Sequence, residues 1–237
     1  MPSNPYTIDM NRNLDERKLF GKLTILQPLG VTRRYPKKRT IIFQGETPRS
    51  VYILKSGIVK VYGITSEGDQ RTVTLLSAGD VFPTSWVFDK TETSIYYYEA
   101  ASDCLILAVT KEDYMEALNT DAELKEQMFQ TYMSHYIAST MHVYALEHSH
   151  ARDKLIYILQ YLTTRFGEKE EDGKIRIALR LSHQDIAEMV GITRETAAVE
   201  LHKLKRKGYI TYQRFTYWVD VTKLQKLKGD EDMTITI

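Results

Sequence analysis

Four glycines, Gly45, Gly57, Gly68 and Gly79, punctuate the chain every eleven to twelve residues. Between and after them lie short runs rich in Val, Ile, Leu and Tyr: TIIFQG, SVYILKSG, IVKVYGITSEG, RTVTLLSAGD, SIYYYEA and CLILAV. Runs this short, broken at this spacing, are too brief for core helices and predict an antiparallel β-roll or barrel. Successive strand side chains alternate, so in IVKVYGI Val59 and Val61 face one way and Lys60 and Tyr62 the other. For the same reason Tyr96, Tyr97 and Tyr98 cannot all line one pocket.

Beyond Val109 the apolar period lengthens from two to about 3.6. Leu124, Met128, Tyr132 and Tyr136 form one i,i+4 row, and Phe129, Met133, Ile137 and Met141 the row beside it. A face this wide predicts a long helix that packs on its own roll and on a second copy, hence a homodimer. Burial in a single large core is the alternative. HSHARD, residues 148–153, reads as a hinge. LIYILQYLTTRF then predicts a helix ending at Gly167, EKEEDGK a solvated loop and KIRIALRLS a strand. The resulting organisation is an N-terminal roll (1–118), a long helix and hinge (119–150) and a C-terminal domain (151–237).

A chain of 237 residues, 43% hydrophobic, can build two cores. The net charge of +1 is unevenly spread. Residues 1–150 carry 16 Lys+Arg against 18 Asp+Glu, and residues 151–228 carry 16 against 10. The basic excess therefore lies where a polyanion would be met. Cys104 is the single cysteine, which excludes a disulfide framework, a CxxC zinc site or an iron–sulfur cluster. MPSNPYTIDMNRN has no signal-peptide pattern, and no apolar run approaches ~20 residues, so a cytoplasmic protein without membrane contact is expected. The last nine residues, GDEDMTITI, read as a loose tail.

LSHQDIAEMVGITRETAAVELHKLKRKGYI reads as two helices around a tight turn. Ser182 with Asp185 makes a capping-box start, and Thr193 is a second N-cap with Glu195 in the first turn. Ile186, Ala187 and Val190 face inward from the first helix, and Ala197, Leu201 and Leu204 from the second, with Gly191 between. This is a helix-turn-helix pattern. Arg194 suits guanine O6 and N7, and Glu195 suits cytosine N4. His183, Gln184, Thr193 and Thr196 suit phosphate or sugar, and Lys203 lies on the basic edge of the helix. GYITYQRFTYWVDV reads as a hairpin wing with Arg214 at its tip.

From about Arg33 to Leu227 the chain resembles the Crp/Fnr family of bacterial transcription regulators. SVYILKSGIVKVYGITSEGDQRTVTLLSAGDVF resembles the family's β-roll, the long helix its dimerisation helix, and ITRETAAVELHKLKRKGYI its recognition-helix pattern. The resemblance implies an α+β chain with an N-terminal antiparallel jelly-roll, cyclic-nucleotide-binding-like, then a long dimerisation helix and a C-terminal winged helix-turn-helix. It also implies a homodimer on an inverted-repeat operator in double-stranded DNA, acting on transcription through contact with RNA polymerase. One departure concerns base reading. Where the family pattern runs Arg-Glu-Thr-x-x-Arg, the second arginine is here Val199, which can touch a thymine methyl but cannot grip guanine.

The resemblance also locates an effector cassette. In cyclic-AMP-binding members a Glu holds the ribose and an Arg the cyclic phosphate, and those positions fall on Pro83-Thr84 and Ser94-Ile95. Without the charged anchors, ordinary cyclic AMP is not expected. Pro83, Thr84, Ser85, Trp86, Ser94 and Ile95 remain candidates for another effector, against the alternative of a structural strand with Trp86 and Phe88 packed in the roll. Ser139 and Thr140 fall where the cyclic-AMP receptor places its adenine contacts. Arg33 and Arg34, in RRYPKKR, either meet an anionic effector such as a cyclic dinucleotide or lie on a solvated strand. No cofactor, metal or catalytic residue is expected, because the roll lacks histidines, the first being His135. The alternative function is a ligand-sensing interaction module with constitutive or no specific DNA binding.

Overall fold

The computed structural model describes residues 8–9, 24–227 and 235–236. Apart from 235–236, the expected tail lies outside the described residues. The chain divides into two compact units, one within residues 14–133 and one within 134–237, the latter joined by the N-terminal segment. β1 (Ile8–Asp9) belongs to the second unit, where it pairs in parallel with Ile235–Thr236.

In the first unit a 3-10 turn (Thr24–Leu29) leads into β2 (Gly30–Tyr35). There follow β3 (Thr40–Ile42), β4 (Val51–Ser56), β5 (Val59–Ile64), β6 (Gln70–Leu76), β7 (Val81–Phe82), the single-turn α1 (Thr84–Val87), β8 (Tyr97–Ala100), β9 (Cys104–Val109) and α2 (Lys111–Thr120). Two four-stranded sheets result, ordered β2-β9-β4-β7 and β3-β8-β5-β6. The expected roll is therefore present. Gly57 turns at φ 95° where an added Cβ would lie 2.3 Å from the Asp103 carbonyl, so this turn admits only glycine.

Alternation places Tyr98 inside while Tyr97 is only half-buried. Tyr98, Phe82 and Tyr52 stack in series, with centroids 5.1 and 5.5 Å apart, and bridge the two sheets through the core. Trp86 and Phe88 pack against a second cluster built on Leu26, Val51, Ile53 and Tyr114.

The expected long helix is present and is separate from the short α2 before it. α2 ends at Asp121, whose carboxylate accepts from the Glu123 and Leu124 amides at 2.9 Å and caps α3 (Ala122–Glu147). A capping aspartate competes with helix continuation, and here it wins. Leu124 and Met128 are buried in the roll's second cluster. Tyr132 follows, its hydroxyl 3.0 Å from that of Tyr114 and its ring edge-on to Phe88. Burial pushes the Tyr132 phenol up to about 12.

The second unit contains α4 (Ala151–Phe166), β10 (Gly167–Lys169), β11 (Ile175–Ile177), α5 (His183–Val190), α6 (Arg194–Arg206), β12 (Ile210–Gln213), β13 (Thr216–Val219), α7 (Val221–Gln225) and β14 (Ile235–Thr236). Its four-stranded sheet is ordered β10-β11-β13-β12. EKEEDGK, expected as a loop, is one over residues 170–174, while its first two residues, Glu168 and Lys169, extend β10. Glu168 and Lys169 pair with Arg176 and Ile175, and Arg176 forms ion pairs with Glu168 and Glu170. Cross-strand charge pairing compensates for the low strand propensity of these residues. The C-terminal part of α3 belongs to this unit: buried His142 donates from Nε2 to the Met189 carbonyl at 2.6 Å and stacks on Tyr161. Of HSHARD, expected as a hinge, only residues 148–150 form the break between α3 and α4; Ala151, Arg152 and Asp153 are the first turn of α4. The division between the units falls before that break, inside α3.

Candidate nucleic-acid interface

α5 starts on a complete capping box. The Asp185 amide donates to Ser182 Oγ, while the Asp185 carboxylate accepts from the Ser182 amide at 2.7 Å. The helix stops at Gly191, left-handed at φ 67°, which turns the chain within two residues to Thr193. Thr193 Oγ1 accepts from the Thr196 amide at 3.2 Å and starts α6. Ile186, Ala187 and Val190 on α5 pack with Ala197, Leu201 and Leu204 on α6, all buried. This packing leaves one face of α6 open.

That open face carries Arg194, Glu195, Thr196, His202 and Lys203, all exposed. Val199, 53% exposed, stands one turn after Glu195 and is displayed rather than packed. Lys203 pairs with Glu200 at 2.6 Å, so a phosphate would have to compete for its ammonium. Gln184, exposed on α5, donates its amide to Glu188 at 3.0 Å. Burial, and next the Arg194 guanidinium, hold the His183 imidazole below its usual range. Arg214 lies exposed at the β12–β13 turn. Sequence reasoning missed Tyr212, whose ring joins His183 and Lys205 on this side. Its only signal was its place on the predicted wing strand.

The effector candidates stand in different local settings. Pro83 is buried at the start of α1, and Trp86 lies under the Lys111 ammonium, which bonds the Trp86 carbonyl at 3.0 Å and pairs with Asp89. Thr84 is exposed, and Ser85 accepts from Thr91. Ser94 is buried, its hydroxyl donating to the Tyr96 carbonyl at 2.7 Å and its backbone paired with Gly45 and Glu46, while Ile95 is exposed. Arg33 and Arg34 lie exposed on β2, at the opposite edge of the sheet from β7, with Arg34 paired to Asp103 at 3.0 Å. Ser139 and Thr140 are exposed on α3, Thr140 donating to the Ile137 carbonyl. Among the described residues no helix is long and apolar enough to cross a membrane.

Comparison with known proteins agrees with this geometry. Residues 32–121 match the cyclic nucleotide-binding domain and residues 153–229 the Crp-like helix-turn-helix domain. The chain is 32% identical over 182 residues to the global nitrogen regulator of Synechocystis sp., covering 76% of this chain and 80% of that protein. It is 25% identical over 179 residues to the cyclic AMP receptor protein of Thermus thermophilus, covering 75% and 78%. A CooA mutant from Carboxydothermus hydrogenoformans shares the fold with a TM-score of 0.75 at 24% identity, covering 89% of this chain and 95% of that one.

Proposed function

Because the chain belongs to the Crp/Fnr family of DNA-binding transcription regulators, we propose that it acts as a homodimer placing two copies of α6 in the major groove of an inverted-repeat operator. The open face of α6 carries this reading. Arg194 and Glu195 sit in its first turn, where base edges are met, and both are held in register by the Thr193 cap.

Dimerisation is supported by α3. Phe129, Met133, Tyr136, Thr140 and Val143 are all exposed and are spaced alternately by four and three residues. That is the seam spacing of a two-stranded coiled coil, and four of the five are large apolar side chains. It differs from the simple i,i+4 row, because Met141 is buried and Ile137 half-buried. Contact with RNA polymerase belongs to the same proposal.

Any effector is of a kind other than cyclic AMP. The Tyr52–Phe82–Tyr98 stack occupies the roll's core, and Ser94 spends its hydroxyl on the backbone. Arg33 and Arg34 are the groups an anionic effector such as a cyclic dinucleotide would use, from the outer edge of the roll.

The test is a binding titration across salt, with an inverted-repeat duplex from operator selection and a scrambled one. A linear fall of log affinity with log salt is expected, together with discrimination that Arg194→Ala destroys. Equal affinity for both duplexes would overturn the reading and leave a ligand-sensing module.

A further inference from the structure

α5 ends on a side chain from another helix. Any helix leaves the carbonyls of its last turn without donors of its own. In α5 the Ala187 carbonyl is taken by the amides of Gly191 and Ile192, the pattern of a helix closed by a left-handed residue. The Met189 carbonyl is met instead by the His142 imidazole of α3, with Nε2 2.6 Å from the oxygen. A carbonyl can only accept, so Nε2 carries the proton.

His142 is built into this position. It is 4% exposed, and its ring lies over that of Tyr161 in α4, with centroids 5.5 Å apart. One imidazole thus joins α3 to both α4 and α5. Ala138 and Ala145, four residues before it and three after, are buried on the same face and are small enough to let the helices approach. The exposed Tyr136, Thr140 and Val143 occupy a different face of the same stretch of α3. From Met189 the chain runs only two residues to Gly191 and four to Thr193, the cap of α6. Through so short a connection, any shift of the Met189 carbonyl is passed to Arg194 and Glu195.

We infer that His142 is a positioning residue that sets the spacing of the two recognition helices. With α3 fixed against its counterpart in the dimer, the bond to Met189 fixes where each α6 stands along the DNA. This rests on the proposed homodimer on an inverted repeat. His142 reads no base; it selects the number of base pairs between the half-sites. One base pair moves a half-site by about 3.4 Å and turns it by about 34°. A hydrogen-bonded turn resists that displacement, and a released one follows it.

The test is an operator series that keeps both half-sites and lengthens or shortens the spacer by one base pair. It is titrated with the unaltered protein, His142→Leu and His142→Gln, with sedimentation velocity and thermal unfolding alongside. Leucine keeps the packing without a donor, whereas glutamine offers an amide donor in place of Nε2. The unaltered protein should prefer one spacer by about tenfold. His142→Leu is expected to remain dimeric and to bind all three spacers within about twofold of one another, and His142→Gln to recover most of the preference. A role in packing alone would lower the melting temperature and leave the spacer preference intact, so a full preference in a folded His142→Leu dimer overturns the inference. Should that variant not fold, isotope-edited NMR of the unaltered protein on its operator decides: a His142 Nε2–H protected from exchange supports the bond, and an unprotected one overturns it. An unaltered protein that tells operator from scrambled duplex but binds every spacer equally also overturns this inference alone. Equal binding to operator and scrambled duplexes overturns it together with the reading it rests on.

Discussion

His183 in the first turn of α5 meets Tyr212 of β12 edge to face, ring centroids 5.4 Å apart, and the same tyrosine carries the Lys205 ammonium 4.4 Å from its centroid. One ring on the wing thus touches the start of the first helix and the last turn of the recognition helix. The two helices and the hairpin are tied at a point none of them supplies alone.

The first prediction concerns His183. An NMR titration should find its pKa below the ordinary value of about 6.5. Arg194→Ala should raise it only part of the way, because burial is the larger cause. A lowered folded pKa means that folding favours the neutral ring. That stabilisation is complete above the ordinary histidine range and is lost as the pH falls through the folded value. A His183 pKa above the ordinary value would contradict this.

On the proposed operator, Val199 is expected to face one base pair. Its side chain is displayed one turn after Glu195, so Val199→Arg should shift preference there toward guanine by ~1–3 kcal/mol. Competition binding with operators varied at that position measures it. If selection with the unaltered protein returns the family's usual half-site, the assignment is wrong.

The α3 seam should be sensitive to charge. Tyr136, 65% exposed at its centre, would be buried against its counterpart in a dimer, so Tyr136→Glu should yield monomers and Tyr136→Leu should not. Sedimentation velocity distinguishes the two. A fully dimeric Tyr136→Glu protein would place the interface elsewhere.

The caps of α5 carry local stability. Ser182→Ala removes the hydroxyl of the capping box and should cost ~1 kcal/mol, while Ser182→Thr should be nearly neutral. Gly191→Ala forces a Cβ into the left-handed region and should cost ~1–2 kcal/mol. Chemical denaturation of each variant gives the values. A neutral Gly191→Ala would mean that the turn relaxes.

Much of the interface was readable in the chain. Ser182, Asp185, Gly191 and Thr193 are local signals, acting within four residues of themselves, and each does what its chemistry implies. The roll was legible for the same reason, since glycine turns and alternation are local. A short-range cap and a partner strand decided the details: Asp121 sets the start of the long helix, and Glu168 and Lys169 of the charged run after Gly167 joined a strand with Arg176 opposite, while residues 170–174 kept the expected turn.

The chain alone determined the class of fold and the helix-turn-helix, because caps, periods and turns are set by near neighbours. Only the tertiary structure decided that Ser94 and Pro83 serve the roll's own packing and that the open seam of α3 runs through Tyr136 and Val143. It alone showed that the His142 imidazole meets the Met189 carbonyl. Those outcomes depend on which distant strand or helix covers a side chain, and burial of that kind is a property of the assembled fold rather than of any local stretch.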